Sequence, residues 1–401
     1  MIQRRGTSWT RVWRIGFAVL CAAWWLRKVG WIQPVGQWDF RVYYFAAQAW
    51  RAGLNPYDPR TLPLDLSKDG LRFSYPPYAL ALFAPLTALP LTAAIQFVLV
   101  LKTIALGCLI HIWGRLLRTT LTDPVWVVFL MFAYSSAIFV DFISGSITTF
   151  EQLLVWIGVL ALIEQRYWPF TMVVVAASLL RLTPIALLAV CLAAPNRRGY
   201  RYVGAGAAAF ATILLATWGV APRLTAGFIR SLAGNVGERG WLNPAALPLA
   251  IDVSGLLGRT IRVAASPLAQ AALYLAIVVA VLVPTVVTIR RLARRGDAPR
   301  MDLIVYIAFL AAGLVLPRFK NYSYMLLIVP TYYIAIRSTR LRAAVPLMLL
   351  VCLPVYSWIT TPANLALLAD YSKWLMALGA WALFLYETRA GVPLPAGAEA
   401  T

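Results

Sequence analysis

Gln37-Trp38-Asp39-Phe40-Arg41-Val42-Tyr43-Tyr44 opens a segment that runs through Arg51-Ala52-Gly53-Leu54-Asn55-Pro56-Tyr57-Asp58 to Tyr75-Pro76-Pro77-Tyr78 and closes at Pro85 and Pro90. It follows the first hydrophobic span and is the longest polar, aromatic-rich stretch before the second. Phe40, Tyr43, Tyr44, Ala47 and Trp50 recur at helical spacing, which predicts an amphipathic helix. Gly53 ends that helix, and Asn55-Pro56-Tyr57-Asp58 reads as a turn. An isolated carboxylate, an aromatic helix and a Pro-rich return describe a site rather than a spacer.

The surroundings of this segment set the fold class. The chain has 401 residues, 61% hydrophobic and 13% charged. A soluble domain carries about a quarter charged residues. The mean hydropathy of +0.74 and the recurring apolar runs therefore predict an all-α polytopic membrane protein. The net charge of +21 would point to nucleic acid in a soluble protein. Here Lys and Arg gather in short loops, as cytoplasmic loops do, so no nucleic-acid partner is expected. Cys21, Cys108, Cys191 and Cys352 all lie in apolar spans without CxxC spacing, which argues against a disulfide framework or a zinc site. With one histidine, His111, a His-rich metal site is also excluded.

Alternation of basic loops gives roughly 10 to 12 helical spans with both termini cytoplasmic, in a multi-pass cell-membrane protein. The expected organisation is a single transmembrane domain over 1–386, with a first outer loop at 34–90 and a second long outer loop at 221–263. A Gly/Pro/Ala-rich tail at 387–401 reads as disordered. Arg181-Leu182-Thr183-Pro184 interrupts one apolar segment, which is then two short half-spans or a re-entrant hairpin.

Chemistry concentrates outside. Asp39 is flanked by Trp38 and Phe40, which shed water around its carboxylate and suit a base that takes a proton from a hydroxyl. Equally, Asp39 can cap a helix beginning at Phe40. The aromatic helix is either an interfacial anchor or a wall that seats a lipid-linked sugar. Asp58 is a second candidate base, although turn aspartates commonly form Asx turns. Arg318 and Lys320 sit in a short outer turn against the orientation rule, next to Tyr322. A guanidinium fork and a point charge there suit a phosphate; snorkelling to lipid headgroups is the plainer reading. Arg181 also needs an anion, and no acidic partner is close in sequence.

The combined pattern resembles glycosyltransferase family 87, the polyprenyl-phosphate-sugar-dependent enzymes of the C-type superfamily. The resemblance rests on Asp39 with Tyr43 or Tyr44, on Gly53-Leu54-Asn55-Pro56-Tyr57-Asp58, and on Tyr75-Pro76-Pro77 followed by Pro85-Leu86 and Leu89-Pro90. Arg181-Leu182-Thr183-Pro184 looks like the family's Lys-x-x-Pro segment with Arg in place of Lys. Two features depart from the pattern: Gly145 is followed by Ser146 rather than Gln, and Arg318-Phe319-Lys320-Asn321-Tyr322 stands where many members carry Trp-x-His.

The resemblance implies a C-type fold and an extracytoplasmic, inverting transfer with Asp39 as general base. It further implies a polyprenyl-phosphate sugar donor, most simply a mannose donor, a glycolipid or glycan acceptor, surrounding membrane lipids, and no metal or other cofactor. Arg41, Tyr43, Tyr44, Asn55, Tyr57, Tyr75, Arg181, Arg318, Lys320 and Tyr322 are then the expected substrate-binding residues. An arabinose donor remains the alternative within the family. Outside it, a lipid or small-molecule transporter would call for inverted repeats and midplane polar residues, neither of which is evident.

Overall fold

The computed structural model describes residues 8–30, 36–63, 65–66, 70–193, 199–234, 237–260, 262, 266–294, 300–353 and 363–389. Among them there is no strand. In chain order the helices are α1 (Ser8–Gly30), α2 (Trp38–Arg51), α3 (Tyr78–Phe83), α4 (Leu91–Leu117), α5 (Pro124–Ser144), α6 (Thr148–Ile163), α7 (Tyr167–Leu180), α8 (Gly199–Val220), α9 (Pro222–Gly234), α10 (Ala246–Thr260), α11 (Pro267–Arg294), α12 (Met301–Val315), α13 (Ile328–Arg337), α14 (Leu341–Cys352), α15 (Ala363–Asp370) and α16 (Ser372–Arg389). Tighter 3₁₀ segments run over Ala84–Ala88, Thr183–Ala193 and Asn321–Leu327. By length and composition α4, α5, α8 and α11 can each cross a membrane, and several shorter apolar helices pack among them.

The core lies around α12 and α13. Their residues are buried on nearly every side, with Tyr306, Tyr332 and Tyr333 among the largest enclosed side chains. By contrast, only 11% and 17% of the most apolar windows of α8 and α11 are buried. Those two helices present their apolar surface outward, as lipid-facing helices do. Sequence signals fix several ends. Asp123 accepts from the Val125 amide at 3.0 Å and Pro124 takes the first position of α5. Gly145 closes the same helix at φ +71°. Midway along α5, Tyr134, Ser135 and Ser136 adopt φ of +53°, +52° and +58°. Each such residue costs about 1–2 kcal/mol. Full burial of the Tyr134 ring and its hydroxyl bond to Thr331 Oγ1 at 2.6 Å offset that cost.

The Arg181 interruption is a hairpin. α7 ends at Leu180, Arg181 is extended at φ −148° and ψ +141°, and the chain then turns back. Cys191, late in the returning arm, lies against Thr171, early in α7. The arms match in length although they differ in residue count: 14 α-helical residues rise about 21 Å, and 11 residues of 3₁₀ helix rise about 22 Å. Both fall short of a hydrocarbon core of about 30 Å. Neither arm alone is long enough to cross, and Arg181 lies level with the first turn of α6.

Two boundaries differ from the sequence expectation. α2 begins at Trp38 with Gln37 at its N-cap, two residues ahead of a helix starting at Phe40 and capped by Asp39. Its side chains turn inward: Asp39, Phe40, Val42, Tyr43 and Tyr44 are buried. At the other end α16 continues to Arg389, and Ser338 Oγ donates to the buried Glu387 Oε1 at 2.5 Å. The tail 390–401, the basic pair Arg197-Arg198 and the stretch 354–362 lie outside the described residues.

Candidate active site

A cavity of about 380 Å³ opens above the hairpin tip. Asp39 and Tyr43 enter it from α2, Arg72 and Tyr75 from the first loop, and Glu151 and Gln152 from the first turn of α6. Arg181 comes from the hairpin tip, Glu238 from the segment between α9 and α10, and Arg318, Lys320 and Tyr322 from the turn after α12. Leu71, Leu182, Leu187, Leu232, Leu316 and Leu326 supply an apolar side.

The start of α2 is locked onto the end of α5. Gln37 Nε2 donates to the Phe142 carbonyl at 2.6 Å and to the Ile143 carbonyl at 3.0 Å, two of the carbonyls a helix leaves open at its C-terminus. The fit is close. A Cβ on Gly145 would stand 2.6 Å from both Gln37 Oε1 and Phe40 Cβ, so only glycine fits there. This anchor places Asp39 in the first turn of α2, where the helix dipole favours a negative charge. Asp39 is 8% exposed, and its Oδ2 is buried without a hydrogen-bond partner. One turn further on, Tyr43 shares a 2.8 Å hydroxyl–hydroxyl bond with Tyr75. Tyr57 donates from its hydroxyl to the Tyr75 carbonyl at 2.8 Å and so props that residue from behind.

Arg181, Arg318 and Lys320 face the same cavity. Arg181 Nη2 donates to Ser146 Oγ at 2.9 Å, Nη1 lies 3.3 Å from Glu151 Oε2, and the guanidinium stacks 4.8 Å from the centre of the Tyr322 ring. Arg318 donates to Glu238 Oε2 from Nε at 3.1 Å and from Nη2 at 2.9 Å, and Lys320 Nζ lies 3.0 Å from Glu238 Oε1. Burial pushes the Glu238 carboxyl up, but the charges of Lys320 and Arg318 outweigh it and hold the group below the ordinary glutamate range. Asp39, Arg181 and Arg318 are all near enough for their charges to act on the Tyr322 hydroxyl.

A second network lies beneath. Lys102, fully buried in α4, meets Asp141 Oδ2 at 2.8 Å and donates to the carbonyls of Asp141 and Ser146 at 2.7 and 2.8 Å. Thr149 Oγ1 donates to Asp141 Oδ2 at 2.6 Å. The turn between α5 and α6 is thereby tied down, and through Ser146 it holds Arg181. Among the described residues no three His, Cys, Asp or Glu side chains gather as a metal site.

The model of glycosyltransferase family 87 matches residues 73–317, more than half of the chain. The chain belongs to that family. It is a membrane glycosyltransferase. No curated protein and no solved structure matches it. The matched region contains Tyr75-Pro76-Pro77, Arg181 and Glu238; Asp39 precedes it and Arg318 follows it directly.

In this glycosyltransferase Asp39, Tyr43, Tyr75, Arg181, Arg318, Lys320 and Tyr322 meet around one cavity. The other expected residues do not line it. Arg41 pairs with Asp65 at 2.6 Å on the surface side of α2. Tyr44 donates to the Leu89 carbonyl at 2.8 Å and fastens α2 to the loop's return. Asn55 Oδ1 accepts from the Tyr57 amide at 3.1 Å, an Asx turn. Tyr57 is 8% exposed behind Tyr75. Asp58 accepts from the Arg60 amide at 3.0 Å and caps a short turn. Glu151, Gln152, Glu238 and Arg72 line the cavity without having been singled out. A signal existed for Glu151: a lone carboxylate at the head of an apolar helix is a functional candidate by default. Lys102, midway along a 27-residue apolar helix whose other cation, Arg115, lies in the last turn, carries the same signal.

Proposed function

We propose that this glycosyltransferase moves one sugar, mannose first, from a polyprenyl-phosphate donor to a hydroxyl of a glycolipid or glycan, on the extracytoplasmic side and with inversion. One observation carries the reading: the unpartnered, buried carboxylate oxygen of Asp39 faces the same cavity as the paired cations Arg318 and Lys320. A base and an anion clamp in one pocket are what a displacement at an anomeric carbon needs.

Asp39 takes the proton of the acceptor hydroxyl. The oxygen forms its bond to the anomeric carbon as the bond from that carbon to the phosphate oxygen breaks. The electron pair leaves with the polyprenyl phosphate, whose second negative charge meets Arg318, Lys320 and Arg181. Arg181 is oriented for this by Ser146 and Glu151. Tyr43 and Tyr75, joined by their hydroxyls, form the wall next to Asp39. The leucine-rich side takes the first isoprene units of the lipid chain.

The test is transfer of radiolabelled mannose from polyprenyl-phosphate-mannose to a lipid extract of the source cells by the purified protein, with Asp39→Asn alongside. Labelled product that is lost by two or more orders of magnitude in the variant supports both the class and the base. Transfer unchanged by Asp39→Asn removes Asp39 as base. Transfer only from the arabinose donor corrects the sugar.

A further inference from the structure

Glu238 is an odd neighbour for a phosphate. It occupies the cations that the leaving group needs: Arg318 donates from both Nε and Nη2 to its Oε2, and Lys320 Nζ meets its Oε1. Its backbone is held in place independently. Asn243 Nδ2 donates to the Glu238 carbonyl at 3.3 Å, while Asn243 Oδ1 accepts from the Phe319 amide at 2.9 Å. Tyr324 adds a hydroxyl bond to the Pro244 carbonyl at 2.5 Å. The segment carrying Glu238 is thus pinned to the segment carrying Arg318 and Lys320. The carboxylate is a fixed third member of the cluster, and two cations with one carboxylate leave a net charge of one positive.

Resting on the polyprenyl-phosphate reading above, we propose that Glu238 determines specificity for the charge of the phosphate, so that the cluster prefers the phosphodiester donor over the phosphomonoester product. The sugar-linked donor is a diester with one negative charge. The released polyprenyl phosphate is a monoester, which approaches two negative charges near neutral pH. Arg181 adds no net charge because Glu151 pairs with it, so a cluster of charge +1 matches the first and leaves the second with one charge unmatched beside an ionised carboxylate. A lone Arg–Lys pair of charge +2 would favour the product instead and hold it after each turnover. Glu238 lowers the attraction for every anion, but it lowers it most for the dianion, which is how a repulsive element creates selectivity.

The experiment measures binding of a polyprenyl monophosphate and of its methyl ester, a monoanionic diester, to purified full-length protein in detergent at pH 7.5. A unit charge about 4 Å away at an effective dielectric near 20 would shift unscreened binding by about a thousandfold. With the Glu238 side chain 24% exposed, screening brings the expected change towards about tenfold. Glu238→Gln should therefore raise the preference for monoester over diester by about tenfold. Glu238→Asp keeps the charge and should keep the wild-type ratio. Because each ratio is taken within one protein, a partial loss of folded material cancels. In turnover, Glu238→Gln should also make added polyprenyl monophosphate a more potent inhibitor by a similar factor. If Glu238 only holds Arg318 and Lys320 in position, Glu238→Gln weakens both ligands alike, and an unchanged ratio overturns the inference. An equal shift in Glu238→Asp overturns it as well. Failure of the wild type to bind either lipid sinks the polyprenyl-phosphate reading together with this one, whereas binding with an unchanged ratio sinks this one alone.

Discussion

Lys102→Met removes the single most enclosed cation of the site region without touching the cavity. Both Lys102 and Asp141 have side chains of 0% exposure, at 2.8 Å. Without the ammonium, Asp141 keeps only the Thr149 hydroxyl on Oδ2, and its Oδ1 already has no hydrogen-bond partner. A stranded buried carboxylate costs about 3–5 kcal/mol. The carbonyls of Asp141 and Ser146 each lose a charged hydrogen-bond donor as well, at about 1 kcal/mol apiece. The expected loss is thus about 5–7 kcal/mol, most of it from the unpaired charge. Asp141→Asn in the same chain removes that charge, so the double variant should recover at least half of the loss. Equilibrium unfolding in mixed micelles, run as a double-mutant cycle, reads both quantities. A Lys102→Met protein within about 1 kcal/mol of wild type, or single losses that simply add, would refute the account of a buried ion pair clamping the α5–α6 turn.

Gly145→Ala adds a Cβ 2.6 Å from Phe40 Cβ and Gln37 Oε1 at a residue with φ +71°. It should displace the start of α2 and with it Asp39, lowering kcat by about 10- to 100-fold with KM little changed; steady-state kinetics decide, and wild-type kcat would show that the anchor does not position the base. Arg181→Lys keeps the charge but not the fork that reaches Ser146 and Glu151 together. Its transfer rate should fall at least about tenfold, and full activity would reduce Arg181 to a point charge. The Glu238 cluster has a defined pH window. Its carboxyl is held below the ordinary value, so the contact's contribution to stability is complete above about pH 4.3 and is lost as pH falls through the lowered value. Melting temperatures of wild type and Glu238→Gln should differ by a constant amount down to about pH 4 and converge only below it; convergence near pH 6 would contradict a depressed carboxyl.

The membrane class and the all-α fold were legible because both follow from local composition: apolar runs need lipid, and basic loops mark their ends. The Arg181 break was legible as a break, since a cation next to Thr183-Pro184 cannot continue an apolar helix. The choice between two half-spans and a re-entrant hairpin stayed open, and the match in arm length was not legible, because it rests on the returning arm's steeper 3₁₀ rise. The site was half legible. Asp39, Tyr75, Arg181 and Arg318 stand out as polar groups where polar groups are expensive. Their partners do not. Glu151 is far from Arg181 along the chain, and Glu238 reaches Arg318 across 80 positions. Pairing at that range is decided by how helices pack. Tyr44, Asn55 and Tyr57 illustrate the converse: a motif in the right loop whose members brace the site from outside it.

The charges around the cavity bear on how a turnover ends. The carboxylates and cations that line it are Asp39, Glu151 and Glu238 against Arg72, Arg181, Arg318 and Lys320, one positive charge in excess when Arg181 keeps Glu151 ionised. A phosphodiester donor makes that sum neutral. In the proposed transfer the second charge appears on the phosphate as Asp39 gains its proton, so the sum stays neutral through the step. That matters in a pocket with an apolar side, where separating charge costs most. Once Asp39 gives the proton to water, the pocket holds one excess negative charge and expels the monoester. On this account Asp39 acts twice, first as base and then, by losing its proton, as the trigger for release. Slowing that second proton transfer in deuterated water should therefore slow product departure, read as a larger solvent isotope effect on kcat than on kcat/KM. Equal effects on the two would place the proton's departure outside the release step.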